Sequence, residues 1–168
     1  VLGKVAASKA YLDAMNLDTP WARQTRAALE EMAWKGVLAN KGNENFQRRW
    51  FSTWLGLAST PAAFERLKAI LAGSTGIEGL SIDQDLRWAI IKHLNRYGVD
   101  GAASLAEQEA RRDKSDTGQA AALAATVVRP DPQVKAQWLG TVEDLQTKLP
   151  FSKIRTAMGG RVLSLIHI

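Results

Sequence analysis

Along the chain, apolar residues recur at three- and four-residue steps, and no stretch alternates strictly apolar and polar, so helices are expected and strands are not. Leu29, Met32, Ala33, Gly36 and Val37 trace one face of a helix beginning near Pro20. Phe46, Trp50, Trp54, Leu57 and Ala58 form the next stripe, widened by Phe51. From Pro61 onward, Ala63, Leu67, Ile70 and Leu71 face inward. Leu86, Ala89, Ile90, Leu94 and Tyr97 make the cleanest stripe, yet Trp88 and Ile91 fall beside it and broaden its apolar arc. A helix needs so wide an arc when neighbours flank it on more than one side.

The helix ends are marked by capping chemistry. Thr19-Pro20, Thr60-Pro61 and Asp131-Pro132 each put a side-chain acceptor at the N-cap and proline at the first helical position. The acceptor satisfies a free backbone N–H, and proline lacks an N–H that would be unpaired there anyway. Ser115 and Asp83 read as further caps, and Gly42, Gly73, Gly98 and Gly140 punctuate the chain, Gly140 from inside a helix. The pattern predicts helices near 2–15, 20–39, 44–58, 61–72, 83–97, 101–112, 116–128, 131–146 and 151–158. Most links are about two to five residues, so successive helices should pack antiparallel. The long exception is Gly73 to Ile82. The expected fold class is all-α, an irregular antiparallel helix-pair superhelix of the HEAT or armadillo kind. One α-helical domain should span 1–163. Residues 164–168 end an abruptly apolar stretch, Arg161 to Ile168, and read as a non-native or disordered tail.

Composition narrows the function. The 168 residues suit one domain with a sizeable core, and six Trp promise large buried rings. The absence of Cys excludes disulfides and thiolate metal sites and fits a reducing compartment, hence a cytoplasmic location. The longest apolar run, Ala120 to Val128, is far short of the roughly 20 residues that span a bilayer, and Val1 to Ala10 lacks the pattern of a signal peptide. The net charge of +5 is scattered, and its densest cluster, Arg111-Arg112, is followed at once by Asp113. A solvated helical surface accounts for that charge, and neither a nucleic-acid nor a membrane partner is expected.

Candidate chemistry is sparse. His93 has no second His one turn away and falls within an apolar stripe, and His167 stands one residue from the end. Neither suits a zinc site, which usually takes three protein ligands. Gly73-Ser74-Thr75-Gly76 lacks the Lys of a phosphate loop, and no serine sits in a nucleophile elbow. Carboxylates stand close together at Glu30-Glu31, Asp83/Asp85, Glu107/Glu109 and Asp113/Asp116; Asp83, Asp85 and Asp116 are explained by helix N-termini. Arg48 and Arg49 interleave with Phe46, Trp50, Phe51 and Trp54, but helical spacing sends the rings and the cations to different sides. Arg87 and Arg129 are candidates for a cavity wall or, equally, for structural pairing. No catalytic, cofactor-binding or metal-binding residue is therefore assigned.

Three ordered segments carry a resemblance. Gly79-Leu80-Ser81-Ile82-Asp83-Gln84-Asp85-Leu86-Arg87-Trp88 leads into a helix ending at Gly98. Glu109, Arg112, Asp113, Ser115 and Gly118 follow with the spacing E-x-x-R-D-x-S-x-x-G, and Pro130, Lys135 and Trp138 with the spacing P-x-x-x-x-K-x-x-W. Together they resemble the C-terminal helical domain of M1-family zinc aminopeptidases, of the bacterial aminopeptidase N type. The resemblance implies a HEAT-like superhelix that packs on the catalytic domain of the same polypeptide. Such a domain closes a chamber over the zinc and controls the access of peptide substrates. The family's domain continues beyond the helix at Phe151 to Met158, so the chain is expected to be truncated there. The H-E-x-x-H and G-x-M-E-N signatures are absent from this sequence, so the chain alone is expected to bind no zinc and to be inactive. The alternative is a free-standing α-solenoid that binds other proteins.

Overall fold

A computed structural model of the protein describes residues 2–14, 19–144, 150, 152–156 and 158. Among them run eight α-helices: α1 (Leu2–Ala14), α2 (Pro20–Ala39), α3 (Glu44–Leu57), α4 (Pro61–Ala72), α5 (Gln84–Arg96), α6 (Ala102–Arg112), α7 (Asp116–Val127) and α8 (Pro132–Glu143). The described residues contain no strand, only an isolated bridge between Ile77 and Leu80. The fold is all-α, as the periodicity predicts. Of the helix expected over 151–158, residues 152–156 and 158 are helical. The 164–168 tail and His167 lie outside the described residues.

The caps are where the sequence places them. Thr19, Thr60, Ser115 and Asp83 each accept from the backbone N–H three residues on, and Asp131 accepts from Gln133 and Val134. Asn43 caps α3 in the same way. Gly73 ends α4 in the left-handed region at φ 73°, where its amide bonds back to the last turn.

The chain divides into two compact units, Val1–Ile82 and Asp83–Ile168. In the first, α2 and α3 pack antiparallel around an aromatic core: Trp34 meets Trp54 at 4.6 Å between ring centroids, and Phe51 meets Trp54 at 5.5 Å. Gly36 leaves room for the ring of Trp50, which a Cβ there would overlap. The helix α1 lies against both α2 and α3, burying Val5. From α4, Ala63, Leu67, Ile70 and Leu71 are buried, and Arg66 lays its guanidinium 4.3 Å from the Trp34 ring centroid. Three apolar residues depart from the expected pattern. Met32 and Phe46 are each at least 40% exposed, and Trp21 is 58% exposed. At about 100° per residue, Met32 lies at the margin of the Leu29–Ala33–Val37 arc, and Phe46 and Trp21 stand in the first turns of their helices.

In the second unit, α5 contacts both α6 and α7. Its broad arc is buried on both flanks, with Leu86, Ile90 and Leu94 on one and Trp88 and Ile91 on the other. Gly98, at φ 61°, follows α5, and Pro130 packs where a Cβ on Gly98 would sit. The helix α8 touches α7, and its Val134, Trp138, Leu139 and Val142 are half-buried.

Candidate functional site

The densest polar cluster of the second unit stands where the N-terminal half of α5 meets the C-terminal end of α6. Gln84, Arg87 and Trp88 are spaced i, i+3, i+4 and so share one flank of α5. Glu109, 3% exposed, answers two of them. Arg87 donates through Nε (3.0 Å) and Nη2 (2.6 Å) to its two carboxylate oxygens, and Gln84 Nε2 adds a third bond of 2.9 Å. Two-point pairing of this kind fixes direction as well as distance, which is why Lys is no substitute for Arg here. Arg112, one turn on from Glu109, lies 4.0 Å from the same carboxylate.

One turn further along α6, the indole Nε1 of Trp88 donates to Asp113 (2.8 Å). The other oxygen of Asp113 accepts from both the amide and the hydroxyl of Ser115, and Ser115 Oγ in turn caps α7 by accepting from Gly118 N–H. Gly118 leaves room for the Asp113 carboxylate, which a Cβ there would overlap. At the opposite end of the pair, Asn95 Nδ2 donates to Ile91 O and Ala102 O. The start of α5 thus meets the end of α6, and its end meets the α6 start, so the two helices run antiparallel.

The electrostatics suit a clamp. The Arg87 hydrogen bonds hold the Glu109 carboxyl below the ordinary carboxylate range, against the opposing effect of burial, and Glu109 in turn raises Arg87. Asp113 is lowered by the Ser115 hydroxyl and then by the Trp88 indole. A general acid working near neutrality needs a carboxyl raised above its usual range. Both acids are held ionised, as fixed acceptors.

His93 is buried and packs against Tyr97, the rings tilted 46° with centroids 4.9 Å apart. Among the described residues no three His, Cys, Asp or Glu side chains gather to hold a metal ion. Arg129 pairs with Asp131 at 3.7 Å and Arg87 with Glu109, so both arginines have acidic partners within the unit. In α3, Trp50, Phe51 and Trp54 are buried while Arg49 is exposed, which is the core-packing arrangement.

Two buried polar anchors in the first unit escape a reading by residue type alone. Glu30 accepts from Ser59 N, Thr60 N and Thr60 Oγ1, tying α2 to the start of α4. Gln47 is fully buried and donates to Val37 O and Glu78 O, pinning the segment after α4 to the end of α2. Gly79, at φ 86°, leaves room for Lys41 O and the Gln47 side chain. The signal lies in the spacing: Gln47, Trp50, Phe51 and Trp54 step i, i+3, i+4, i+7, and Glu30, Ala33 and Val37 step i, i+3, i+7. A polar residue at a core register needs a buried partner.

Comparison with known proteins places the chain in a family. The family model of the ERAP1-like C-terminal domain matches residues 3–161, and the chain belongs to that family. It is similar to an Aminopeptidase N of Streptomyces lividans, with 32% identity over 145 residues, which cover 86% of this chain and 16% of that relative. The chain thus corresponds to less than a fifth of that relative's length.

Proposed function

We propose that the chain is the accessory C-terminal domain of an M1-family zinc aminopeptidase: it walls the peptide chamber, controls which substrates enter, and takes no part in bond cleavage. The observation that carries this reading is the likeness to one 16% portion of an Aminopeptidase N. The interior of the domain supports it, because the acids of the α5–α6 junction are committed to holding helices. In this reading the catalytic zinc is held by another part of the same polypeptide, and that part is the partner of this domain. The short antiparallel pairs α2–α3 and α5–α6 are the repeating element of a HEAT-like wall. The lack of Cys fits the reducing cytoplasm. No described helix is long and apolar enough to cross a membrane.

Two assays test the proposal. The chain alone, given zinc and amino-acid arylamides, should show no turnover; turnover abolished by a chelator would refute the non-catalytic role. In the longer enzyme, arylamides and peptides of increasing length should be compared before and after removal of the residues matching this chain. The wall role expects the length preference to change on removal. An unchanged length profile at retained arylamide activity would rule it out.

A further inference from the structure

The link between α5 and α6 carries a chemical feature that the clamp does not use. Asp100-Gly101 is the one place in the sequence where Asp or Asn precedes Gly. Both residues are exposed, Gly101 adopts φ 82°, and nothing lies within 4 Å of where its Cβ would be. Gly101 opens α6 without any side-chain cap. Neither the Gly101 N–H nor the Asp100 carboxylate has a hydrogen-bonding or ionic partner among the described residues. The flanks, by contrast, are tied: Val99 N bonds to Leu94 O, Ala102 N to Val99 O, and Asn95 Nδ2 to Ala102 O.

We infer that Asp100 is a site of spontaneous isomerisation to isoaspartate through a cyclic imide. The Gly101 nitrogen attacks Cγ of the protonated Asp100 carboxyl, forming a C–N bond. The carboxyl C–O bond breaks, and its hydroxyl leaves with the amide proton as water. Water then adds to one of the two imide carbonyls. Addition at Cγ breaks the new C–N bond and restores aspartate. Addition at the main-chain carbonyl breaks the original peptide bond, so the chain now runs through the β-carbon and the α-carboxylate hangs free. No oxidant, reductant or co-reactant other than water is required. Glycine offers the least steric resistance to ring closure, and an N–H with no acceptor has no bond to give up. Other aspartates differ on these points. Asp131 precedes Pro132, which has no N–H, and Asp116 precedes the β-branched Thr117 inside a helix. The isomerised backbone is one carbon longer under the Ala102 N to Val99 O bond, so that bond is the one it breaks.

The test is to age the full chain near neutral pH in heavy-oxygen water, folded and in urea, then digest with trypsin and separate the peptide Tyr97 to Arg111. IsoAsp100 carrying the heavy label should accumulate in the folded chain at a rate within about threefold of that in urea, because both residues are exposed and the Gly101 N–H has no bond to give up. It should outpace any isomerisation at Asp116 by at least about tenfold. The variant D100E, whose longer side chain must close a six-membered ring, should lose the label at this peptide while keeping the helical circular dichroism of the parent. In the aged protein, hydrogen exchange at Ala102 should quicken with the isoAsp100 fraction. A folded rate more than about tenfold below that in urea would overturn the inference, since the fold would then protect the site. So would label spread evenly over Asp100 and Asp116.

Discussion

The two units hold short helices side by side by different chemistry. In Val1–Ile82 most of the work falls on rings, beside the Glu30 and Gln47 anchors: Trp34 against Trp54, Phe51 against Trp54, Trp50 against the bare backbone of Gly36, and Arg66 over Trp34. In Asp83–Ile168 it falls on a directional network in which Arg87 grips Glu109, Trp88 grips Asp113, and Ser115 and Gly118 complete the turn. Hydrophobic burial is non-directional and roughly proportional to area, so many residue combinations fill such a core. A two-point ion pair has few substitutes. The spacing that joins Glu109, Asp113, Ser115 and Gly118 lies in the second unit, and each of these four positions answers a geometric demand.

If that contrast is right, the largest single loss comes from opening the aromatic core. Trp54 is fully buried, and W54A should cost about 4 kcal/mol, with faster hydrogen exchange over α2 and α3. Equal acceleration over α5 to α7 would show that the two units do not open separately. Next comes E109A, which takes away the carboxylate that the part-buried Arg87 guanidinium and the Gln84 amide share. About 2–3 kcal/mol is expected, below the range for a fully buried pair because Arg87 keeps 20% of its side-chain exposure. R87K should lose part of the same stability, since a lysine cannot reproduce both bonds. G36A, which forces a methyl against the Trp50 ring, should follow at about 2 kcal/mol.

The helices were legible because both of their signals are local. Apolar spacing places the faces, and Thr-Pro or Asp-Pro pairs place the starts of α2, α4 and α8 within a residue. Side-chain partnerships were not legible, since Arg87 and Glu109 are 22 residues apart and Gln47 and Glu78 are 31 apart. The sequence shows that Glu109, Asp113, Ser115 and Gly118 stand in a fixed spacing. It does not show that Asp113 reaches the Trp88 indole, nor that Gly118 is bare for the sake of that carboxylate. The exposures of Trp21, Met32 and Phe46 were also invisible, because helix-wheel logic places an arc without saying how far a neighbour covers it.

The pH dependence sharpens the comparison further. Glu109 has a folded-state pKa below its unfolded value, so its stabilisation is fully present above the unfolded value, near 4.3. It is lost as the pH falls from there through the folded value. Asp113 acts in the same direction. Protection factors over α5 to α7, with the acid slowing of intrinsic exchange divided out, should therefore fall on acidification below about pH 4, and E109Q should flatten that response. A response in E109Q as steep as in the parent would place its source elsewhere.

The smallest effect is the most specific. G118A adds a methyl where Asp113 already lies, but a carboxylate at the end of a side chain can swing away, so the loss should be about 1 kcal/mol, at the low end for overpacking. Swinging away breaks the bond to Trp88 Nε1, which W88F removes by another route. The two changes act on one group. Their combined loss should therefore fall short of the sum of the single losses, because the bond is lost only once. Strict additivity would mean that Asp113 yields without leaving the indole, and that Gly118 is needed for some contact other than this one.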